Sequence, residues 1–121
     1  INVPAYTNLV LDTTTINTSG LANYGFSYTD ETGAPPAISS IAISSDGKGV
    51  LINLASAPTG RFGRVSYATV ENAIQSGATV KPSGRTLGAR GCVRSSAGIT
   101  WVYDTSVTLY DWLPAFRINV F

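Results

Sequence analysis

The stretch Ile38-Ser-Ser-Ile-Ala-Ile-Ser-Ser-Asp-Gly-Lys-Gly-Val-Leu-Ile-Asn-Leu54 decides the fold class. Two runs of β-prone residues flank an Asp-Gly pair, and this order is a strong signal for a two-strand hairpin. We therefore predict strands at 38–44 and 50–54, joined by a turn at Asp46-Gly47. A second turn is predicted at Ala57-Pro-Thr-Gly60, where Pro and Gly interrupt the apolar pattern.

The same two-residue alternation recurs on both sides of this hairpin, whereas helical spacing is almost absent. Only a short helical turn at Glu71–Ile74 is compatible with the sequence. About seven or eight short strands with turns between them favour an all-β fold, an antiparallel two-sheet β-sandwich of the Ig-like or jelly-roll type. The other predicted strands are Asn8–Leu11, Tyr24–Tyr28, Arg64–Val70, Ser106–Trp112 and Ala115–Phe121.

Alternation also predicts which side chains share a face. Tyr24, Phe26 and Tyr28 are spaced two apart, so we expect their rings on one side of a strand, in the core or at a subunit interface. The strand at Arg64–Val70 carries apolar or small residues on both faces, which predicts that both are covered. Near the end of the chain, one face is predicted to hold Phe116, Ile118 and Val120.

Length and composition predict one domain that spans residues 1–121. The chain has 121 residues, of which 44% are hydrophobic, and this length and apolar content suit a single packed core. The first residue is Ile1 rather than Met, and no leader-like segment follows it. We therefore expect a processed chain or the C-terminal piece of a longer protein.

The charge pattern argues against two classes of partner. Eight Lys and Arg residues against seven Asp and Glu residues give a net charge of +1, without basic runs, so no nucleic-acid partner is expected. No apolar stretch reaches the roughly 18 residues of a membrane span, so no membrane insertion is expected. Charged residues make up only 12% of the chain. This low fraction predicts an uncharged surface or one partly buried against other chains, which is common in secreted and virion proteins.

Catalysis by this chain is not expected. It contains no histidine and a single cysteine, Cys92, so Ser-His-Asp, Cys-His and zinc arrangements are excluded. Asp104 and Asp111 remain as a carboxylate pair of the glycosidase type, which only their separation in space can support. We favour the alternative that one of them forms an ion pair with Arg90 or Arg94. No cofactor or metal is predicted, and Cys92 is expected to be a small buried residue without a disulfide.

Two motifs carry a resemblance to a known family. Gly88-Ala-Arg-Gly-Cys-Val-Arg-Ser-Ser96 and Leu109-Tyr-Asp-Trp-Leu-Pro-Ala-Phe116, together with the stretch 41–68, resemble the small C-terminal β-sandwich domain of phage tailspikes and of some secreted SGNH-type esterases. In that family, a Gly-x-Arg-Gly-Asn-hydrophobic-Arg-Asp-Ser pattern precedes Tyr-Asn-Trp. The present chain departs from the pattern at Cys92, Ser95 and Asp111. The resemblance implies a non-catalytic accessory module on a virion tail or secreted protein, which binds a surface polysaccharide or helps to assemble a homotrimer.

Aromatic side chains near the end of the sequence suggest a binding site. Trp101 and Tyr103 are two apart, and so are Tyr110 and Trp112, so on a strand each pair shares a face. Paired rings can stack on the apolar faces of sugars, while charged side chains bind the hydroxyl groups. The predicted ligand-binding residues are Trp101, Tyr103, Arg94, Asp104 and Tyr110.

A structural interpretation competes with this site. Large aromatic side chains often close the core of a β-sandwich, and we expect this role for Trp112, whereas Trp101 fits the core and the surface equally well. The module has two candidate functions, carbohydrate binding and trimer assembly. If it serves trimer assembly, the same rings lie buried between the chains of the trimer. Exposure distinguishes the two functions, because rings that line a solvent-facing groove favour binding.

Overall fold

The computed structural model describes residues 7–69 and 89–120. Within these ranges the chain forms eight strands and one 3-10 turn, and every strand pairing is antiparallel. No helix in this part of the chain is long and apolar enough to cross a membrane. The all-β prediction is confirmed. The elements are β1 (Leu9–Leu11), the 3-10 turn (Ala22–Gly25), β2 (Phe26–Thr29), β3 (Ile38–Ile43), β4 (Val50–Leu54), β5 (Arg64–Tyr67), β6 (Val93–Trp101), β7 (Asp104–Trp112) and β8 (Phe116–Asn119).

The described strands pair into three sheets, with the orders β1-β6-β7, β2-β5-β8 and β3-β4. The β3-β4 hairpin confirms the prediction from the Asp-Gly pair: Ile43 lies opposite Val50, and Gly47 has a φ of 71°. Glycine suits this position because side chains disfavour a positive φ. The Leu9 N–H donates to the Gly47 carbonyl over 2.8 Å, so the hairpin turn is hydrogen-bonded to β1 of another sheet.

One hydrophobic core joins the three sheets. Its buried residues are Phe26, Tyr28, Val65, Tyr67 and Val93, and partly buried apolar side chains from all three sheets pack against them. The Tyr67 ring lies 4.5 Å from the Phe26 ring, centroid to centroid. Val65, Ser66 and Tyr67 are all buried, so both faces of β5 are covered, as predicted.

A close crossing holds the segment before β6 against β5. The Val93 N–H donates to the Tyr67 hydroxyl oxygen over 2.8 Å, and burial raises the pKa of Tyr67 to about 12. A Cβ on Gly91 would fall 2.2 Å from a Tyr67 ring carbon, so only glycine fits there. Cys92 is fully buried, as predicted, and burial raises the pKa of its thiol.

Two strand predictions were wrong at their ends because of backbone conformation. Tyr24 does not lie on β2 with Phe26 and Tyr28. It lies in the preceding 3-10 turn with a φ of 54° and is partly exposed. Similarly, β5 ends at Tyr67 because Ala68 adopts a φ of 53°, which breaks a strand. The helical turn predicted at Glu71–Ile74 lies outside the described residues.

The largest omission of the sequence prediction is β6. Its sequence, Val93-Arg-Ser-Ser-Ala-Gly-Ile-Thr-Trp101, contains small and polar residues where a half-buried strand normally shows apolar alternation. Most of this strand is exposed, so its apolar pattern is weak. The strand after it was predicted at 106–112 and extends back to Asp104, and the predicted strand 115–121 is shorter, at Phe116–Asn119.

The crossing at Tyr67 generates a stability prediction. We expect Gly91→Ala to destabilise the chain by about 3 kcal/mol, because the added methyl overlaps a buried ring that cannot move aside. Tyr67→Phe should cost about 1 to 3 kcal/mol, because it leaves the buried Val93 N–H without its acceptor. Urea unfolding followed by circular dichroism measures both changes.

Gly33→Ala is the matched control for Gly91→Ala. Gly33 has a φ of 71°, and an added Cβ meets nothing within 4 Å, so the substitution should cost only the backbone strain of about 1 to 2 kcal/mol. Equal destabilisation by the two alanine variants would contradict the close crossing.

Candidate functional site

All five residues of the predicted site lie on the β6-β7 hairpin. Arg94 is paired with Trp112 near the base, Gly98 with Tyr110, and Trp101 with Asp104 at the far end. Val93 and Ser95 are buried, whereas Ser96–Trp101 are exposed. The far half of the hairpin therefore extends beyond the core into solvent.

Two aromatic rings meet at the end of the hairpin. The Trp101 and Tyr103 ring centroids lie 5.9 Å apart with an interplanar angle of 76°, so the rings form a corner. Trp101 is 42% exposed and Tyr103 is 85% exposed. The two rings lie together as predicted, but for a different reason: Trp101 ends β6, and Tyr103 lies in the turn before β7. We call residues 101–104 the hairpin tip.

Asp104 supplies the carboxylate of the hairpin tip. It lies opposite Trp101 in the strand register, and its Oδ1 accepts hydrogen bonds from the Ser106 hydroxyl at 2.6 Å and the Ser106 N–H at 3.0 Å. The Ser106 hydroxyl is the main reason that the pKa of Asp104 is lowered. An ionised acceptor thus lies beside the two exposed rings at neutral pH.

Arg94 lies near the base of the hairpin and is engaged within the chain. Its Nε donates to Asp12 Oδ2 at 2.5 Å in an ion pair, and its guanidinium carbon lies 3.7 Å from the centroid of the Tyr110 ring. A guanidinium over an aromatic face is a cation–π contact. The expectation that Arg94 pairs with Asp104 or Asp111 is therefore wrong. We call Asp12, Arg94 and Tyr110 the Arg94 stack.

Asp12 is the residue that the sequence analysis missed. It is buried, and its Oδ1 accepts hydrogen bonds from the Thr14 N–H, the Thr14 hydroxyl and the Thr15 N–H. Burial opposes ionisation, but the hydrogen bonds from Thr15, Arg94 and Thr14 outweigh it and hold the pKa of Asp12 well below its ordinary value. Its partner Arg94 is 82 residues away in the sequence, so no local motif indicates the pair.

Arg90 has a related structural role. It is buried, and its guanidinium donates to the carbonyls of Asn17 and Ser19 at 2.8 and 2.9 Å. These bonds tie the loop after β1 to the segment that precedes β6. Arginine suits this task because its planar group presents several donors in one direction.

The five predicted residues thus fall into two groups. Arg94 and Trp101 are seven positions apart on β6, which corresponds to roughly 23 Å along a strand. The hairpin tip holds Trp101, Tyr103 and Asp104, whereas Arg94 and Tyr110 belong to the stack near the base. Trp112, which was expected in the core, is only partly buried, opposite Arg94.

The carboxylate pair considered for glycoside hydrolysis does not have the required geometry. Asp104 and Asp111 are seven residues apart on β7, which is roughly 23 Å along a strand. Glycosidase carboxylates lie about 5 to 10 Å apart on either side of the bond they cleave. In addition, no group of three or more Cys, Asp or Glu residues within 7–69 and 89–120 could hold a metal ion.

Comparison of the chain with protein-family models, curated proteins and solved structures found no match. The function of the chain must therefore be inferred from the geometry and chemistry of its own residues. The hairpin tip offers exposed rings and an ionised acceptor, and the Arg94 stack is largely satisfied within the chain. Of the two groups, only the hairpin tip has the exposure that a ligand site needs.

The Arg94 stack generates a prediction of pH dependence. Because the pKa of Asp12 is lowered by folding, the ion pair contributes stability above the ordinary Asp pKa of about 4, and this stability is lost as the pH falls below that value. Asp12→Asn should destabilise the chain at pH 7 by about 3 kcal/mol, since it leaves the Arg94 charge partly buried without its partner. Its stability should also depend less on pH between 5 and 2 than that of the unsubstituted chain.

Guanidinium unfolding at a series of pH values measures this difference. Asp104→Asn is the control, because Asp104 is exposed and solvent screens its contribution to stability. If Asp12→Asn and the unsubstituted chain lose stability in parallel on acidification, the ion pair does not anchor the hairpin.

Proposed function

We propose that this chain is a non-catalytic carbohydrate-binding accessory module of a phage tailspike or a similar glycan-targeting protein. The observation that carries the proposal is the exposed Trp101–Tyr103 corner with the Asp104 carboxylate beside it. The resemblance of the 88–96 and 109–116 motifs to tailspike and esterase accessory domains supports the same conclusion. The partner is a surface polysaccharide, and the setting is a virion tail or a secreted protein.

The geometry of the hairpin tip suits a sugar chain that approaches it from solvent. The apolar face of one sugar ring stacks on one aromatic ring, and the second ring, inclined by 76°, contacts the edge of the sugar. Asp104 accepts hydrogen bonds from hydroxyl groups, since an ionised carboxylate has several lone-pair sites. The three side chains thus provide both the apolar and the polar contacts that a sugar requires.

A tip of this size gives weak affinity by itself. The site is open, so it excludes little water, and we expect a dissociation constant on the order of millimolar. A homotrimeric parent would present three tips to one polysaccharide, and linked sites raise overall affinity by about 10² to 10⁴. Weak single sites are therefore compatible with firm attachment to a repetitive surface.

We infer a supporting role for the Arg94 stack. Its ion pair and its cation–π contact join Asp12, next to β1, with Arg94 on β6 and Tyr110 on β7. These contacts hold the base of the hairpin in one position while the tip is exposed. Rigid support of exposed binding residues reduces the entropy that binding costs.

We infer further that the three sheets act as the two layers of an Ig-like or jelly-roll sandwich. The β2-β5-β8 sheet would form one layer, and the other two sheets would form the second. The shared core and the hydrogen bond between Leu9 and Gly47 support this arrangement. In it, the β6-β7 hairpin extends from one end of the second layer.

A second candidate function is assembly of the parent trimer, and one observation favours it. Ile99 and Leu109 lie directly opposite each other on the β6-β7 hairpin and are both exposed. Among the strands of residues 7–69 and 89–120, β7 lies at the edge of its sheet, and it is nine residues long. A long edge strand with exposed apolar side chains readily pairs with another chain.

The binding hypothesis makes a direct prediction. Trp101→Ala should weaken polysaccharide binding about tenfold or more, because it removes a central aromatic contact. Circular dichroism should be unchanged, since the ring lies outside the core. A glycan array identifies a ligand for the unsubstituted chain, and calorimetry or ligand-observed NMR then measures the variants.

Val102→Ala is the matched control for this experiment. Val102 is 80% exposed, close to the value for Tyr103, but carries no ring, so its truncation should leave binding unchanged. The hairpin tip is not a glycan site if the array shows no ligand that binds with millimolar affinity or better. The same conclusion follows if both variants bind as well as the unsubstituted chain.

The assembly hypothesis predicts a different pattern. Under it, light scattering should give three times the mass of the chain, and Leu109→Asp should reduce the mass to that of the monomer, because a buried charge disfavours the interface. Leu51→Asp is the control, since Leu51 is similarly exposed on β4. A monomer at all concentrations would exclude assembly through this hairpin in the isolated chain.

A further inference from the structure

An apolar cleft lies away from the hairpin tip, between the β3-β4 sheet and the β2-β5-β8 sheet. Its volume is about 520 Å³. One wall is formed by β4 and the other by β8, with Leu9, Phe26 and Leu113 among the residues between them. The main wall residues are Val50, Ile52 and Leu54 on β4, Phe116 and Ile118 on β8, and Val120 directly after β8.

The strand periodicity explains why both walls are apolar. On each strand the wall residues are spaced two apart, so they project from the same face. The intervening residues of β8, Arg117 and Asn119, are exposed and polar. Yet the two apolar rows do not fill the space between the sheets, and Ile118 is 51% exposed. Sheets that pack fully would interdigitate these rows and exclude water.

The size and lining of the cleft define the class of ligand that it can accept. Small-molecule sites are typically about 300 to 1,000 Å³ in volume, with mainly apolar walls and a few polar groups. Here the lining residues are aliphatic, aromatic or glycine except for Lys48, and Tyr28 is the one that carries a hydroxyl group. A sugar or nucleotide would lose its hydrogen bonds with water in such a space, whereas an alkyl chain would lose none.

Lys48 provides the charge at one end of the cleft. It lies in the β3-β4 turn, next to Gly49 and Val50, which also line the cleft. Asp46 is close in sequence but is not part of the lining, and its carboxylate accepts hydrogen bonds from the Ser44 hydroxyl and the Lys48 N–H. The Ser44 hydrogen bond is the main cause that lowers the pKa of Asp46, and the charge of Lys48 also contributes, so the Lys48 charge already interacts with Asp46. A lysine can pack its methylene groups along an apolar wall while its ammonium group stays in water.

We propose that the cleft binds a single-chain amphiphile with an anionic head, of the fatty acid class. The alkyl chain lies between the β4 and β8 walls and covers Ile118 and Val120. The carboxylate lies at the end marked by Lys48. This site is separate from the hairpin tip and does not depend on the carbohydrate-binding proposal.

Displacement of a fluorescent fatty acid from the full chain tests the proposal. Saturated acids of 8 to 14 carbons, each below its micelle concentration, should bind about fourfold more tightly for every added methylene until the cleft is full. The matching alcohols should bind a few fold more weakly than the acids. Lys48→Gln should remove that preference for the acid and leave the affinity for the alcohols unchanged, because the head contact is exposed.

Two tryptophan variants locate the bound chain. Ile118→Trp should fill the cleft and reduce binding at least tenfold. Leu51→Trp is the matched control: Leu51 is 52% exposed and does not line the cleft, so binding should be unchanged. Val120→Trp replaces Ile118→Trp if circular dichroism shows that the latter does not fold.

Three outcomes would overturn the proposal. The first is no displacement by any acid of the series. The second is an equal effect of the two tryptophan positions, which would indicate non-specific adsorption. The third is a stable dimer that Ile118→Trp disrupts and that takes up no fatty acid, because a second copy of the chain would then be the occupant.

Discussion

The hydrogen bond from the Val93 N–H to the buried Tyr67 hydroxyl is the contact on which the arrangement of the sheets depends. It occurs where the chain passes over β5, and the approach is possible only because Gly91 has no side chain. The Tyr67 ring also stacks on Phe116 and packs at a tilt against Phe26. One side chain therefore organises the β2-β5-β8 sheet and sets the position at which β6 begins. A buried polar group of this kind favours one arrangement, because any other leaves it unsatisfied.

The position of β6 in turn determines which part of the hairpin is exposed. Immediately after the crossing, Arg94 reaches Asp12 and Tyr110, so the hairpin base is held by charge and packing together. Beyond Ser95 the core ends, and the strand continues without burial. The division into an anchored base and an exposed tip therefore follows from where the core stops. Binding residues are commonly exposed in this way on a rigid support.

The sequence predicted those parts of the structure that depend on local signals. The Asp46-Gly47 turn and the alternating residues of β4 and β8 have such signals, and the prediction was correct there. It failed for β6, because an exposed strand needs no apolar alternation, and for Tyr24, because nothing in the sequence marks its positive φ. At the candidate site, Trp101 and Tyr103 could be identified from the sequence by their residue types. The separation of Arg94 from the tip depends on the strand register and on Asp12, a distant residue that no local pattern connects to it.

The two proposed sites differ in how strongly their surfaces are hydrated before binding, and the ligands proposed for them follow from this difference. At the hairpin tip, the rings and the Asp104 carboxylate are all hydrated before binding, so a ligand must replace hydrogen bonds as well as cover apolar surface. Sugars do both. In the cleft between β4 and β8 the lining offers few polar partners, so most of the free energy of binding comes from removing apolar surface from water. A polar ligand would lose more there than it gained, and an alkyl chain at the tip would displace water from the Asp104 carboxylate without replacing its hydrogen bonds. The low charge of the chain is consistent with both surfaces, because neither recognition mode requires many charged side chains.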